Sequence, residues 1–278
     1  MISLQRSLSL FALTCLLAAP AARATDLVAH RGASFEAPEN TLAAANLAWQ
    51  NNADVVELDI HLTKDGKLVV THDANLKRVT GRDAAIVDLT FDEIRQLDAG
   101  SWKNPKYAGE KIPSLDELIA TLPAGKRLFV EIKTGPESVP ELAATLARTK
   151  MTEKQISLIS FNYETLVAAR KALPAYTTIY VSSYKKPKDP SKAPPSLDKL
   201  IEDCRKAGLH GLDLQHTWPL DAAAVKKIRD AGLQLHVWTI DTPEIARRWI
   251  ALGADSITTN RASWLREQLS QPAAVANK

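Results

Sequence analysis

Short apolar runs alternate with longer stretches of helical periodicity along almost the whole chain. The runs at Leu27–His30, Asp54–Ile60, Arg127–Lys133, Gln155–Ser160, Thr177–Val181, Gly211–Gln215, Gln234–Thr239 and Ser256–Thr259 predict eight strands. Between them Thr41–Asn51, Leu115–Thr121, Pro140–Thr149, Tyr163–Leu173, Leu197–Ala207, Asp221–Ala231 and Pro243–Leu252 predict helices. Ser114 with Glu117 reads as a capping box, Asp221, Asp241 and Thr242 stand at helix starts, and Gly208, Gly232 and Gly253 stand at helix ends. Strand–helix alternation of this length predicts a parallel α/β fold, a closed (β/α)8 TIM barrel. The alternative is an open doubly wound sheet, which no Gly-x-Gly-x-x-Gly turn supports.

One connection breaks the rhythm. An insertion of about 61–126 separates strands two and three. It opens with a predicted hairpin, His61–Lys64 and Leu68–His72 about an Asp65-Gly66 turn. The Lys- and Pro-rich stretch Ser182–Ser196 reads as an exposed loop over the same face.

The N-terminus does not belong to this pattern. Arg6, the apolar run Leu8–Ala19 and the small-x-small site Ala22-Arg23-Ala24 read as a signal peptide over 1–24, cleaved on export. The alternative is an uncleaved anchor. A single domain would then span 25–270, with a tail at 271–278. The expected address is periplasmic, with secretion as the alternative, and no stable membrane insertion is expected. With 35 basic and 32 acidic residues, and Arg6 and Arg23 lost on cleavage, the mature chain carries a charge of about +1. That balance offers no electrostatic case for nucleic acid or an anionic surface. Of the cysteines only Cys204 would remain, so no intrachain disulfide is available. Oligomeric state is not legible.

Ionisable residues inside barrel strands need a reason, because an unpaired buried charge is costly. In Val55-Val56-Glu57-Leu58-Asp59-Ile60, Glu57 and Asp59 share one face and Val56, Leu58 and Ile60 the other. Phe129-Val130-Glu131-Ile132-Lys133 repeats the device. The acids should point into the barrel near the strand ends, where TIM-barrel active sites lie. Three carboxylates brought together repel unless a cation sits among them, and an all-oxygen set favours one Ca²⁺ or Mg²⁺. The alternative is an interior salt-bridge network with Arg31 and Lys133. His30 and His72 end strands at the same rim and suit general acid–base work. Arg31 and Lys133 supply fixed positive charge for a phosphodiester oxyanion. Trp238 either walls the alcohol part of a substrate or packs the barrel top. His61, His210, His216 and His236 are read as structural.

These segments resemble, in order, the glycerophosphodiester phosphodiesterase family. The matching text is His30-Arg31-Gly32, Pro38-Glu39-Asn40-Thr41, Glu57-Leu58-Asp59, Thr63-Lys64-Asp65-Gly66, Val69-Val70-Thr71-His72-Asp73, Ile112-Pro113-Ser114-Leu115, Glu131-Ile132-Lys133 and Val237-Trp238-Thr239. The resemblance implies a TIM barrel with an insertion after strand two. It implies His30 and His72 as the acid/base pair, and Glu57, Asp59 and Glu131 as ligands to one divalent cation. Arg31 and Lys133 are implied as phosphate binders, with Trp238 beside the glycerol. The implied reaction converts a small glycerophosphodiester to glycerol 3-phosphate and an alcohol, through attack by the substrate's own neighbouring hydroxyl. Asp241, Asn260 and the Ser160-Phe161-Asn162 strand end depart from the family pattern, and none is expected to touch the metal or histidine set. Two other functions compete: a lysophospholipase D, which needs an apolar channel, and a non-catalytic exported receptor for phosphorylated polyols, which needs no histidine pair.

Overall fold

The structure, a computed structural model, describes residues 24–185 and 195–272. Most of the expected signal peptide, the centre of the Ser182–Ser196 loop and the end of the C-terminal tail lie outside the described residues.

Strand β1 (Asp26–Ala29) is followed by helix α1 (Leu42–Gln50), β2 (Val55–Leu62) and β3 (Leu68–Val70). Three short helices follow, α2 (Lys77–Thr80), α3 (Phe91–Arg95) and α4 (Leu115–Ile119). Regular alternation then resumes with β4 (Arg127–Ile132), α5 (Val139–Thr149), β5 (Ile156–Ser160), α6 (Tyr163–Ala172), β6 (Thr177–Ser182) and α7 (Leu197–Ala207). It ends with β7 (Gly211–Gln215), α8 (Ala222–Asp230), β8 (Gln234–Trp238), α9 (Pro243–Ala251), β9 (Ser256–Thr259) and α10 (Ala262–Ser270). All strands but β3 pair in parallel, and β1 hydrogen-bonds both β2 and β9, which closes the barrel. β3 runs antiparallel to the end of β2, with His61 opposite Val69.

The alternation of side chains sorts the core into layers. Val56, Leu58 and Ile60 of β2, with Leu128, Val130 and Ile132 of β4, pack outward against the helices. Leu212, Leu214, Leu235 and Val237 do the same on the far side, around the fully buried Trp249. Inside the barrel Val28, Val55, Phe129, Ile159, Ile179 and Val181 form a compact apolar floor. Buried Cys204 belongs to the outer layer, its thiol pushed up to about 12 by burial.

Between β2 and β4 the hairpin turn places Gly66 at φ +73°, which suits glycine. Beyond it Val69, Leu76, Ile86, Leu89, Ile94 and Ile112 make a small core of their own. This unit docks on the β1–α1 loop and the first turn of α1 through polar contacts. Lys103 Nζ donates to Ser34 O at 2.7 Å, Tyr107 OH to Glu36 O at 3.1 Å, and Ala43 N to Glu110 Oε1 at 3.1 Å. The capping box at Ser114 and the Asp221 cap both form. Thr242 stands at the start of α9 but makes no side-chain cap. Among the described residues no helix is long and apolar enough to cross a membrane.

Candidate active site

β2 and β4 place the acids. Their register sets Asp59 beside Glu131, and Glu57 lies one inward step earlier on β2. One oxygen from each of Glu57, Asp59 and Glu131 lies within 4.8 Å of the others. Glu57 and Asp59 are buried. The cluster has cationic partners: Arg31 Nε lies 3.4 Å from Asp59 Oδ2, and Lys133 Nζ lies 2.8 Å from Glu131 Oε1 and 3.5 Å from Asp59 Oδ1. Asn40 Nδ2 also donates to Asp59 Oδ2 at 2.8 Å. These contacts do not saturate the acids, since Glu57 Oε1 and Asp59 Oδ1 are buried without a hydrogen bond. Burial, then Asp59 and Glu131, raise the Glu57 carboxyl well above its ordinary value. Burial, then Asp59, push Glu131 up to about 7 despite Lys133. Burial opposes the Lys133 charge, but Glu131 and Asp59 outweigh it and raise its pKa. Both readings of the acids therefore hold in part: a salt-bridge network exists, it leaves two carboxylate oxygens without a hydrogen bond, and one oxygen of each acid converges as a hard-cation site would require.

The β1–α1 loop is bent to serve this cluster. Arg31 (φ +56°) and Gly32 (φ +81°) are consecutive left-handed residues. A Cβ on Gly32 would meet Ala44 C at 2.7 Å, so the loop can press on α1 only with glycine there. The bend points Arg31 N–H at Glu57 Oε2, 2.9 Å away. Asn40 (φ +60°) is likewise left-handed, and its amide also accepts from Asp59 N at 3.2 Å. Left-handed non-glycine backbone costs about 1–2 kcal/mol per residue, and at Arg31 and Asn40 it aims donors at the acids.

Each candidate histidine is held by its own partner. His30 Nδ1 meets Asn260 Oδ1 at 2.7 Å, and its Nε2 lies 4.0 Å from Glu57 Oε2. Asn260 is fixed in turn by Asp241, which accepts from its Nδ2 at 2.6 Å and its backbone N at 2.8 Å. This corrects the expectation for Asn260, which touches His30; Asp241 reaches the histidine only through Asn260, because the segments that follow β8 and β9 meet at the end of β1. Since a carboxylate only accepts, the Asn260 amide must donate to Asp241 and turn its oxygen to His30. Burial, then the Arg31 charge, lower His30 to about 4. His72 follows the hairpin, with Nδ1 2.6 Å from Asp73 Oδ1. Arg78 Nε donates to Asp73 Oδ2 at 2.6 Å, and its other nitrogens grip Glu39 at 2.7 and 3.0 Å. Glu39 also accepts from Arg31 Nη1 at 2.9 Å. His61 packs behind this site, its Nε2 3.0 Å from His72 O. His210 and His236 are occupied elsewhere by Thr178 and by Ser256 and Gln234. His216 is not among the residues lining either cavity of the site.

Two cavities meet at His72 and Lys133. The inner one, about 220 Å³, runs from His30, Arg31 and the acids to Trp238, Ile159 and Val181. The outer one is an open groove lined by Asp73, Asn75, Lys77 and Arg78, with His61 behind. Trp238 Nε1 donates to Asp213 O at 3.1 Å, and its ring meets Phe161 edge-on, with centroids 5.5 Å apart. The eight residues picked out by sequence thus stand together: seven line the inner cavity, and Asp59 lies buried beside them.

Residues 30–263 match the glycerophosphoryl diester phosphodiesterase family. The chain belongs to that family. A glycerophosphodiester phosphodiesterase of Bacillus subtilis (strain 168) is 32% identical over 251 residues, covering 84% of this chain and 82% of the relative. One from Caldanaerobacter subterraneus subsp. tengcongensis is 31% identical, covering 85% of this chain and 94% of the relative. Among solved structures, an Oleispira antarctica phosphodiesterase in complex with the product sn-glycerol-3-phosphate superposes with TM-score 0.80 at 29% identity. That match covers 89% of this chain and 98% of the other.

Within this phosphodiesterase-family barrel, sequence reasoning missed several residues that shape the site. Arg78 was not singled out at all, and Glu39, Asn40, Asp73 and Asn260 were given no role, although the first three stand in the segments that resemble the family; all five come from loops and a short helix, where periodicity carries no signal. Asp213 is different. It interrupts Gly211-Leu212-Asp213-Leu214 just as Glu57 and Asp59 interrupt β2, so the same alternation could have found it.

Proposed function

We propose that the protein hydrolyses glycerophosphodiesters to sn-glycerol 3-phosphate and an alcohol, with Glu57, Asp59 and Glu131 holding one Ca²⁺ or Mg²⁺. The observation carrying this reading is the convergence of three buried acids and two separately oriented histidines on one cavity. A divalent cation held by these acids supplies Lewis-acid stabilisation of charge on the phosphoryl oxygens. Arg31 and Lys133, anchored by Glu39 and Glu131, hold the diester by its non-bridging oxygens.

The histidines divide the proton work according to their partners. His30 donates Nδ1–H to the neutral Asn260 oxygen, which leaves Nε2 as a lone pair facing the cavity. It takes the proton of the glycerol hydroxyl beside the phosphate as that oxygen attacks phosphorus. His72, oriented by the contact of its Nδ1 with the Asp73 carboxylate, gives a proton to the departing alcohol oxygen. The new phosphorus–oxygen bond closes a cyclic phosphate while the bond to the alcohol breaks. Water then opens the ring with the proton roles reversed, giving glycerol 3-phosphate. An attached nucleophile gains from high effective concentration.

His72 borders both cavities, so the leaving alcohol faces the outer groove. Asp73, Lys77, Arg78 and Lys133 border it, and its lining includes no large apolar side chain of the kind that would form a channel for a lysolipid chain. Two histidines with dedicated partners favour catalysis over a receptor. We also propose export to the periplasm, supported by the Leu8–Ala19 run and the Ala22-Arg23-Ala24 site.

The test is glycerol 3-phosphate release from glycerophosphocholine, with EDTA and then with added Ca²⁺ or Mg²⁺. Release that stops with EDTA and returns with a cation is expected. No release with either cation from folded protein would remove this substrate class.

A further inference from the structure

The reaction proposed above leaves one buried acid without a role. Asp213 sits in the middle of β7 and is only 3% exposed. Its neighbours Leu212 and Leu214 pack outward, so its carboxyl faces the barrel interior and lines the inner cavity. No hydrogen bond or ion pair to another described residue reaches that carboxyl, and its Oδ1 is buried without a partner. It is not one of the three acids whose oxygens converge, so a cation held there does not account for it. A buried polar group left unpaired is destabilising, and a residue like the leucines beside it would pack the position better.

Its surroundings define what could pair with it. Ile159, Phe161, Val181 and Trp238 give the inner cavity apolar walls, and Thr258 also lines it. Strand register sets Trp238 opposite Gln215, two residues beyond Asp213, and the Trp238 indole bonds the Asp213 carbonyl at 3.1 Å. Asp213 therefore lies beneath Trp238, on the side of the cavity away from the outer groove and Arg78. Burial, with the Glu131 charge adding to it, pushes the Asp213 carboxyl well above its ordinary value. A neutral carboxyl offers one donor and one acceptor, which is what a single hydroxyl asks for. Apolar walls with one placed polar group are the usual means of orienting a small ligand.

We propose that Asp213 binds the terminal hydroxyl of the glycerol moiety and is the residue by which the inner cavity selects glycerol over a deoxygenated analogue. The inference rests on the phosphodiesterase reading. With the phosphoryl group at Arg31 and Lys133 and the attacking hydroxyl at His30, the third carbon is the part left to extend beneath Trp238. Asp213 is a specificity residue in this scheme and exchanges no proton with the reacting atoms.

The test compares glycerophosphocholine with the phosphocholine ester of propane-1,2-diol, which keeps the attacking hydroxyl and lacks the terminal one. Both are assayed with the wild-type protein, Asp213→Asn and Asp213→Leu, with melting temperatures recorded alongside. The wild type should favour the glycerol substrate by roughly 10- to 100-fold in kcat/KM, the worth of one well-placed buried hydrogen bond. Asp213→Leu should bring that ratio close to one, mainly through KM for the glycerol substrate, and Asp213→Asn should retain part of it. Neither variant should melt below the wild type. An unchanged ratio in Asp213→Leu overturns the proposal. So does a parallel loss on both substrates, which would mark a structural role. A wild type that cleaves neither diester rejects the phosphodiesterase reading itself, and the subsite falls with it.

Discussion

The two halves of the barrel solve the problem of a polar interior in opposite ways. β1, β2 and β4, with the hairpin beyond them, bring His30, Arg31, Glu57, Asp59, Glu131, Lys133 and His72 to the rim. β5 to β9 contribute Ile159, Val181, Trp238 and Thr258, with Asp213 as the lone acid. In the first half almost every charge is tied to another, and the remaining conflict among acids is of the kind a cation resolves. In the second, burial in apolar surroundings does the work, and one carboxyl is left without a partner among the described residues. The charged half suits the binding and cleavage of a phosphodiester, and the apolar half is the one to which the proposal above gives the shaping of the attached group.

Replacing the histidines breaks the charged half most severely. His30→Ala or His72→Ala should each lower kcat/KM by about 10²- to 10⁴-fold, with circular dichroism unchanged. A double variant with undiminished turnover would remove the acid–base mechanism. The next effect is on stability. A cation present at about 100 times its Kd should add about 2.7 kcal/mol, read as a rise in Tm that EDTA reverses. Glu57→Gln should lose most of that rise, yet melt no lower than the wild type in EDTA, because it removes a buried acid in conflict with two others. Equal cation-induced rises in both proteins would dissociate Glu57 from the metal site.

Arg78→Ala should have a smaller effect, shared between activity and acid tolerance. Burial works against the Asp73 charge, but hydrogen bonds from Arg78 and His72 lower its pKa from 3.8 to about 2. The native state thus holds fewer protons than the unfolded chain between those values. The associated stability is present above pH 3.8 and is lost as pH falls towards 2. Both partners are a third or more exposed, so solvent screening keeps the contribution below about 1 kcal/mol. Acid unfolding of Arg78→Ala, followed by fluorescence, should begin at higher pH than in the wild type.

The smallest effect belongs to the apolar half and has the opposite sign. Asp213 has its pKa raised above 3.8, so the native state holds more protons and wild-type stability declines as pH rises from that value. Asp213→Leu removes the decline. Its Tm advantage should be a few degrees at neutral pH, at about 2–4 °C per kcal/mol for a domain of this size, and should shrink near pH 4. A constant difference across that range would show that Asp213 is not strained by burial.

The barrel was legible because its signal is periodic. The observed strands fall within one or two residues of the apolar runs, and β2 overruns its predicted end because it continues into the hairpin. Glu57, Asp59 and Glu131 were legible because they interrupt such runs. The terminal helix α10 was missed: Arg261 at its start makes no side-chain cap, so the usual start signal is lacking. Asn260 illustrates a deeper limit. Its tie to His30 spans 230 positions, and no local pattern encodes it.

That tie also has a bearing on the life history of the chain. His30 lies on the first strand and its partner Asn260 just beyond the last, where β1 and β9 form the seam of the barrel. The seam can close only after nearly the entire polypeptide has been made, and contacts so distant in sequence form late. Until then His30 has no Asn260 amide to fix its tautomer. The nascent protein is therefore expected to be silent as a catalyst, with activity appearing in one step at barrel closure.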